Sequence, residues 1–488
     1  MPNGHMKKND VVKLNITDVG NSGEGIGKLD GFPVFVKGAL PGDIARVRLT
    51  KLKKSYGYGR LEEIITPSPD RIKSPCPVSE KCGGCVFGAW SYDRELEWKN
   101  EKVKNALIRI GGFERAFIEE IMEEPIGADS GKEYSYRNKT QLPVGRAKDG
   151  RIITGFYAGR THAIIENNAC LLTERDNSDI VRIVINHMEK YGIDSYDENT
   201  GQGLVRHILV RTGEGVMVCL IINGNKIPLE DELADELWSI SGMASVLINT
   251  NTANTNVILG EKIRVLKGVD YITDTMGELS FRIGAKSFYQ VNRTQALKVY
   301  EKALDYAQLS GRETVFDLYC GIGTISLFMA RRAGFVYGVE IVPEAIENAK
   351  SNAALNNINN AEFFAGTAEE VLPELLASHP DIHPDVIVVD PPRKGCDEKL
   401  LHTMLSAAPD RIVYVSCDPA TLARDLKILS AGGYELRNVT AADQFGRSGH
   451  VEVVSLLQRV SNTRERTITL DVEMEDYHRI VNGDDHNK

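Results

Sequence analysis

Apolar and polar positions alternate in short runs over residues 11–16, 33–36, 44–49 and 59–64, with Gly-rich turns between them. Period-two alternation broken by turn residues predicts a small β-barrel. The run Thr66-Pro-Ser-Pro-Asp70 and the run Ser74-Pro-Cys-Pro77 read as a linker. A polar helix near residues 92–110 and a strand-rich stretch over 134–283 follow, the latter containing Tyr136-Arg-Asn-Lys139. From about residue 284 the pattern changes. Apolar strands over 314–320, 335–339, 385–390 and 411–416, with an apolar helix over 325–333, predict an α/β unit with a doubly wound, Rossmann-like sheet.

The strand at 314–320 runs into Gly321-Ile-Gly-Thr324, where glycines let the backbone approach a bound ligand. The next strand ends at Glu340, about 20 residues on, the separation at which an acid meets ribose hydroxyls in a nucleotide-binding βαβ unit. A Gly-x-Gly turn alone is as often a tight turn with no ligand; the acid at the next strand end favours a cofactor. The third glycine of a dinucleotide fingerprint is replaced by Ile325-Ser326, which favours S-adenosylmethionine over NAD. Two further strands end at Asp390-Pro-Pro and at Cys417. Carboxyl ends of parallel strands face the ligand crevice, so Asp390 and Cys417 are expected at one site.

The strings Asp390-Pro-Pro-Arg-Lys-Gly395, Tyr414-Val-Ser-Cys-Asp-Pro-Ala-Thr421 and Gly449-His-Val-Glu452, with Phe288-Tyr-Gln-Val-Asn292 upstream, resemble the RNA uracil-5-methyltransferase family over most of the chain. The resemblance implies that Cys417 is the nucleophile, that Glu452 is the base, and that Gln290, Tyr319, Glu340 and Asp390 surround cofactor and substrate. The chemistry suits these types. Carbon 5 of uracil is a poor nucleophile until a thiolate adds to carbon 6, and covalent catalysis divides the difficulty. A carboxylate can then remove the carbon 5 proton. Where the family usually has a Phe-Pro run, this chain has Phe445-Gly446-Arg447-Ser448, so the loop before Glu452 is expected to differ. His450 is expected to share a strand face with Glu452 and stays outside the catalytic set. A base within RNA must be extruded or lie unpaired, and Phe288 and Tyr289 are candidates to stack on it.

Cys76, Cys82 and Cys85 form a C-x5-C-x2-C run among Gly and Pro, and Cys170 can supply a fourth thiolate. Four thiolates suit an iron–sulfur cluster or a tetrahedral zinc, and spacing does not separate the two. Resemblance to the ribosomal branch of the family implies a [4Fe–4S] cluster on these four residues. Disulfides are disfavoured, since no secretory signal or apolar span of membrane length is evident. Cys219, Cys320 and Cys396 read as incidental.

With 488 residues, 42% hydrophobic and 26% charged, the chain is expected to be a soluble, cytoplasmic, multidomain protein. Its net charge of −10 is awkward for an RNA binder. Residues 1–75 carry 13 Lys and Arg against 8 Asp and Glu, however, and Lys51-Leu-Lys-Lys54 with Tyr56 and Tyr58 makes a cationic, aromatic stretch. Gly23-Glu-Gly-Ile-Gly-Lys28 and Leu40-Pro-Gly-Asp-Ile-Ala45 resemble a TRAM domain, an OB-like RNA-binding module. The expected organisation is an OB-like barrel over 1–74, a central α+β domain over 75–283, the methyltransferase domain over 284–460 and an acidic tail over 461–488 with a candidate strand at 467–472. The expected activity is methylation of uridine carbon 5, with large-subunit ribosomal RNA the preferred substrate, transfer RNA the alternative, and the protein acting as a monomer. Two other readings compete: an RNA-binding protein with a redox-sensing cluster, and an amine methyltransferase. Cys417 and Glu452 count against the first, and amine methylation needs no thiol.

Overall fold

The computed structural model describes residues 6–460 except Asn21, Arg160 and Pro380, so the 461–488 tail and its candidate strand lie outside the described residues. Five strands open the chain: β1 (Val11–Val19), β2 (Gly25–Leu29), β3 (Phe32–Lys37), β4 (Ile44–Leu52) and β5 (Gly57–Thr66). They close into a barrel in the order β1-β2-β3-β5-β4 around Leu14, Ile16, Val34, Val36, Ala45, Val47 and Leu49. The alternation predicts four of these strands and misses β2, whose glycines read as a turn. Gly25 and Gly27 are there for close approach: a Cβ would lie 2.5 Å from the Ala39 carbonyl oxygen at one and 2.9 Å from that of Asn15 at the other. Buried Asp43 ties the barrel to the linker, accepting from the Leu40 and Ser68 amides at 2.7 and 2.9 Å and pairing with Arg71.

Next come α1 (Tyr92–Ala106), a π-helical turn (Leu107–Gly111) and α2 (Arg115–Ile121). A mixed sheet follows, with β6 (Lys139–Arg146), β7 (Ile152–Tyr157), β8 (Ile164–Glu166), α3 (Ser178–Lys190), β9 (Val205–Thr212), β10 (Val216–Ile222), α4 (Glu230–Trp238), β11 (Met243–Thr250) and β12 (Lys262–Gly268). Its order is β12-β11-β10-β9-β6-β7-β8. The amphipathic helices α3 and α4 bury Val181, Val184, Leu233 and Leu237 against Ile208, Val218 and Leu220. The helices α1 and α2 turn away from this sheet: Val103, Leu107 and Ile118 join the core of the C-terminal unit.

That unit begins with the hairpin β13 (Tyr271–Met276) and β14 (Leu279–Gly284) and the helix α5 (Arg293–Ala307). It continues through β15 (Thr314–Asp317), α6 (Thr324–Ala330), β16 (Phe335–Glu340), α7 (Pro343–Leu355), β17 (Ala361–Ala365), α8 (Ala368–Ser378), β18 (Val386–Val389), α9 (Glu398–Ala407), β19 (Arg411–Ser416), α10 (Pro419–Ala431), β20 (Tyr434–Ala442) and β21 (Glu452–Arg459). The sheet order is β17-β16-β15-β18-β19-β21-β20, parallel from β17 to β19, with β21 antiparallel to both neighbours. Chain direction across the sheet reverses between β15 and β18, and in such sheets ligands bind outside the carboxyl ends at that switch. The doubly wound α/β unit expected from the sequence is therefore present, and its switch point lies beside Asp317 and Asp390.

Candidate active site

The turn after β15 is built for close approach. Gly321 and Gly323 adopt φ of +56° and +85°, a region that side-chain-bearing residues rarely enter, and Gly323 caps α6. Buried Asn352 donates to the Ile322 carbonyl at 3.1 Å and fixes the turn from behind. Glu340, at the end of β16, accepts the Gly321 amide at 3.2 Å through one oxygen and the Val342 amide at 2.9 Å through the other. These bonds set the carboxylate beside the glycine turn. The next two residues, Ile341 and Val342, are exposed apolar side chains, a surface the sequence reading missed.

Beneath the turn, Asp317 is fully buried and accepts from the Ser326 hydroxyl at 2.6 Å; burial raises its pKa to about 6. Burial, then Asp317, raises Asp390 to about 7. Tyr319 lies at the same turn, with burial and the Cys396 thiol raising its pKa. Gln290 arrives from the loop before α5, its side-chain oxygen accepting from Gln444 at 3.3 Å and its carbonyl from Asn138 at 3.0 Å. The buried Tyr300 phenol reaches Gln290 and Thr324 and feels the charges of Asp390 and Glu452. Tyr300 and Asp317 were not singled out from sequence; an Asp closing a strand before a Gly turn was the available signal for Asp317, and nothing marks Tyr300.

Cys417 stands between β19 and α10, just before Asp418, which caps the helix by accepting the Ala420 and Thr421 amides at 2.9 and 3.2 Å. Ser416 is paired with Val453 in the antiparallel β19–β21 ladder, so Cys417 and Glu452 leave that ladder side by side. Burial, then Asp390, raises buried Glu452 to about 8. Burial, Glu452 and Asp390 push the Cys417 thiol up to about 11, while Arg393 pulls it down. The Asp390-Pro-Pro-Arg turn thus brings a carboxyl and a guanidinium to the same thiol. All six candidate catalytic and cofactor residues lie around the carboxyl ends of the C-terminal sheet or on the loop before α5 facing them.

His450 departs from expectation: it sits in the loop before β21, exposed, with the Arg393 guanidinium 3.4 Å from its ring, and shares no strand face with Glu452. Phe288 is 72% exposed, as a stacking platform requires, whereas Tyr289 is 3% exposed and packs on Phe281 in the core. Tyr289 is therefore a core aromatic: in the loop between β14 and α5 its ring turns onto Phe281 while that of Phe288 faces out. On the barrel, Phe35, Tyr56 and Tyr58 form an edge-packed aromatic group beside the β4–β5 hairpin that carries Lys51, Lys53 and Lys54.

Cys76, Cys82, Cys85 and Cys170 are free, partly exposed thiols. They share one neighbourhood: burial, then Cys170, Cys82 and Cys76, pushes the Cys85 thiol up to about 12. The Gly84 amide lies 3.4 Å from the Cys82 sulfur. Soft, gathered donors of this kind match a thiolate-ligated group in chemistry, yet among the described residues no three His, Cys, Asp or Glu side chains are set close enough to hold a metal ion. Cys219, Cys320 and Cys396 are buried. A cavity of about 800 Å³ lies away from Cys417, along β6, β7 and the edge strand β8 of the central sheet; its Arg146–Asp194 and His162–Glu198 pairs satisfy one another. No helix among the described residues is long and apolar enough to cross a membrane.

Comparison with known proteins agrees with this geometry. A TRAM domain model matches residues 7–61, and the model of tRNA (Uracil-5-)-methyltransferase matches residues 235–460. An uncharacterized RNA methyltransferase of Halalkalibacterium halodurans is 46% identical over 459 residues, covering 93% of this chain and 98% of that protein. One of Clostridium tetani is 45% identical over 456 residues, covering 93% and 97%. Among solved structures, the Pyrococcus abyssi tRNA (uracil-54, C5)-methyltransferase in complex with S-adenosyl-L-homocysteine is 26% identical, with a TM-score of 0.71, covering 91% of this chain and all of that one. With a thiol and a carboxyl side by side where β19 and β21 meet at the ligand end of this sheet, a TRAM barrel ahead of it, and relatives of this identity along nearly the whole chain, the protein belongs to the RNA uracil-5-methyltransferase family.

Proposed function

We propose that this protein transfers a methyl group from S-adenosylmethionine to carbon 5 of a uridine in RNA through a covalent adduct on Cys417. The observation that carries the reading is the β19–β21 register, which sets Cys417 beside Glu452 with Asp390 at hand. The Cys417 thiolate adds to carbon 6, and the carbon 5–carbon 6 π electrons move onto the carbonyl as an enolate. Carbon 5 takes the methyl group as the carbon–sulfur bond of the sulfonium breaks. Glu452 then removes the carbon 5 proton, the double bond re-forms and the thiolate leaves. Arg393 and the amino end of α10 favour the thiolate; the neighbouring carboxyls oppose it.

In this reading Glu340 receives the ribose hydroxyls, Ile341 and Val342 offer a flat apolar surface to a purine, and Gln290, Tyr319 and Asp390 line the rest of the cofactor and substrate space. Phe288 offers an exposed ring to stack on the splayed base, and the barrel aromatics contact RNA elsewhere. Cys76, Cys82, Cys85 and Cys170 would hold a [4Fe–4S] cluster whose contribution is structural cross-linking of a Gly- and Pro-rich loop. Large-subunit ribosomal RNA is the preferred substrate of a cytoplasmic, monomeric enzyme, because a barrel and a four-cysteine set mark that branch. Transfer RNA is the second reading, favoured by the likeness to the Pyrococcus abyssi enzyme. Mapping 5-methyluridine in both RNAs from cells with and without the gene separates them.

Glu452→Gln tests the mechanism. Thiolate addition and methyl transfer survive, release stalls, and a protein–RNA band accumulates with ordinary uridine and S-adenosylmethionine. A variant that transfers nothing and traps nothing removes Glu452 from the base role.

A further inference from the structure

The loop between β20 and β21 carries Glu452 at its end, and its centre departs from the family pattern at Gly446-Arg447. Arg447 is 1% exposed and takes φ of +67°, a left-handed backbone that a non-glycine residue holds only when its surroundings compel it. Those surroundings hold it from several sides, with only its Nε left without a partner among the described residues. The Arg447 amide donates to Glu95 at 2.7 Å, and its guanidinium donates to the Trp90 carbonyl at 2.9 Å, to Glu133 at 3.0 Å and to Glu95 at 3.5 Å. The Tyr92 and Tyr134 rings flank it at 5.5 and 4.8 Å. Its carbonyl accepts the Phe87 amide at 3.1 Å, two residues beyond Cys85.

The rest of the loop is held from the same helix. Lys99, fully buried, donates to Glu95 at 2.7 Å, Asp443 at 2.5 Å and the Phe445 carbonyl at 3.2 Å. Lys102 donates to the Gly449 carbonyl at 2.7 Å, and Tyr92 to Asp443 at 2.6 Å. Tyr92, Glu95, Lys99 and Lys102 recur at three- and four-residue spacing, one stripe of α1. A stripe of charged residues ordinarily faces water; this one faces the loop.

We propose that Arg447 is a positioning residue for proton removal from carbon 5: its clasp fixes the loop, and through it the direction in which Glu452 enters the site, with the Cys85–Phe87 segment forming the outer wall of the clasp. The inference rests on the reading of Glu452 as the base. Proton removal is the step most sensitive to that direction, since thiolate addition depends on β19 and α10 and the methyl donor on the β15 and β16 ends. Displacement of a catalytic group by about 1 Å costs on the order of 100-fold in rate.

The test uses the full chain carrying Arg447→Gly, which accepts the backbone angle and removes the clasp, and Glu133→Gln, which loosens only its outer partner. Single-turnover methyl transfer, product release, the covalent protein–RNA fraction and S-adenosylmethionine affinity are measured together. Arg447→Gly should slow release at least about tenfold and accumulate adduct, with single-turnover transfer and cofactor affinity within about threefold of wild type; Glu133→Gln should do the same more weakly, and Arg447→Lys should restore part of the release rate. Parallel loss of transfer and release, or release at the wild-type rate in both variants, overturns the inference. Glu452→Gln separates the two failures: if it traps no adduct, the base assignment falls, and if it traps adduct while the Arg447 and Glu133 variants do not, only the clasp falls.

Discussion

Tyr414 donates its hydroxyl to Asp425 at 2.7 Å, and the same carboxylate oxygen accepts the Cys396 amide at 2.9 Å. A residue of β19 thereby ties the turn after β18 to α10. Arg424 adds bonds to the Lys394 and Cys396 carbonyls, and Thr421 one to that of Arg393. The turn with Asp390 and Arg393 is thereby tied to the helix behind Cys417.

Gly395→Ala tests that tie. Gly395 has φ of +76°, and a Cβ there would lie 2.6 Å from both the Arg424 guanidinium and the Asp425 carboxylate. The strained angle alone costs about 1–3 kcal/mol, and the clash separates the turn from the helix. Lower stability in denaturant and reduced turnover, with better-preserved cofactor affinity, are expected; unchanged turnover would show that the turn need not be tied.

Cys417→Ala should abolish methyl transfer and leave S-adenosylmethionine binding near wild type, because the thiolate acts on the uracil ring. Wild-type enzyme with 5-fluorouridine RNA should give a slow-migrating protein–RNA species, since fluorine at carbon 5 cannot leave as a proton. Gel analysis with both proteins decides it.

Much of this site was legible because its residues sit at strand ends. Three strands of the C-terminal sheet end at or next to Glu340, Asp390 and Cys417, and a run of apolar residues followed by a polar one marks such an end. What stayed hidden depends on contacts distant in sequence. The α1 stripe reads as solvated until its partner loop, about 350 residues away, is folded onto it. Tyr289 and Phe288 look alike in sequence, and only the turn of the chain decides which faces water. The cysteine loop is remote in sequence from the loop before Glu452, and only the folded chain shows the Phe87–Arg447 bond that joins them.

Glu452, raised to about 8, must be ionised to act, so product release should accelerate as pH rises from 7 to 9, and the thiolate fraction of Cys417 grows over the same range. Stability runs the other way. A carboxyl whose pKa is higher folded than unfolded keeps its proton in the native state while the unfolded chain loses it, so the fold weakens between about pH 4.5 and 8 by about 1.4 kcal/mol per pH unit at most. Glu452→Gln lacks this term. Its melting temperature should gain on wild type between pH 5 and pH 8 and hold that gain above; a constant difference would contradict the raised value.

Lys99→Met leaves Asp443 buried without its cation and Glu95 with only the more distant Arg447 guanidinium. Removing one member of a buried ion network costs about 3–5 kcal/mol, and burial already raises Glu95 to about 7. The variant should unfold at markedly lower denaturant, and double replacement by Lys99→Met with Glu95→Gln should recover part of the loss. Additive losses would mean the two side chains act independently.

Cys82→Ser addresses the cysteine loop. If the four thiolates hold a cubane cluster, anaerobically purified protein is brown with about four irons per chain, by the cysteine ligation of such centres, and the variant loses that iron. The Phe87 amide bonds to Arg447 in the loop that leads to Glu452, so RNA affinity and turnover are expected to fall together. S-adenosylmethionine affinity should change much less, since Glu340 and the glycine turn are held by their own bonds to Val342, Gly321 and Asn352. A colourless protein with one zinc refutes the iron–sulfur assignment and spares the structural role. Loss of cofactor affinity in Cys82→Ser would mean that the cysteine loop supports the sheet's switch point as well as the catalytic loop.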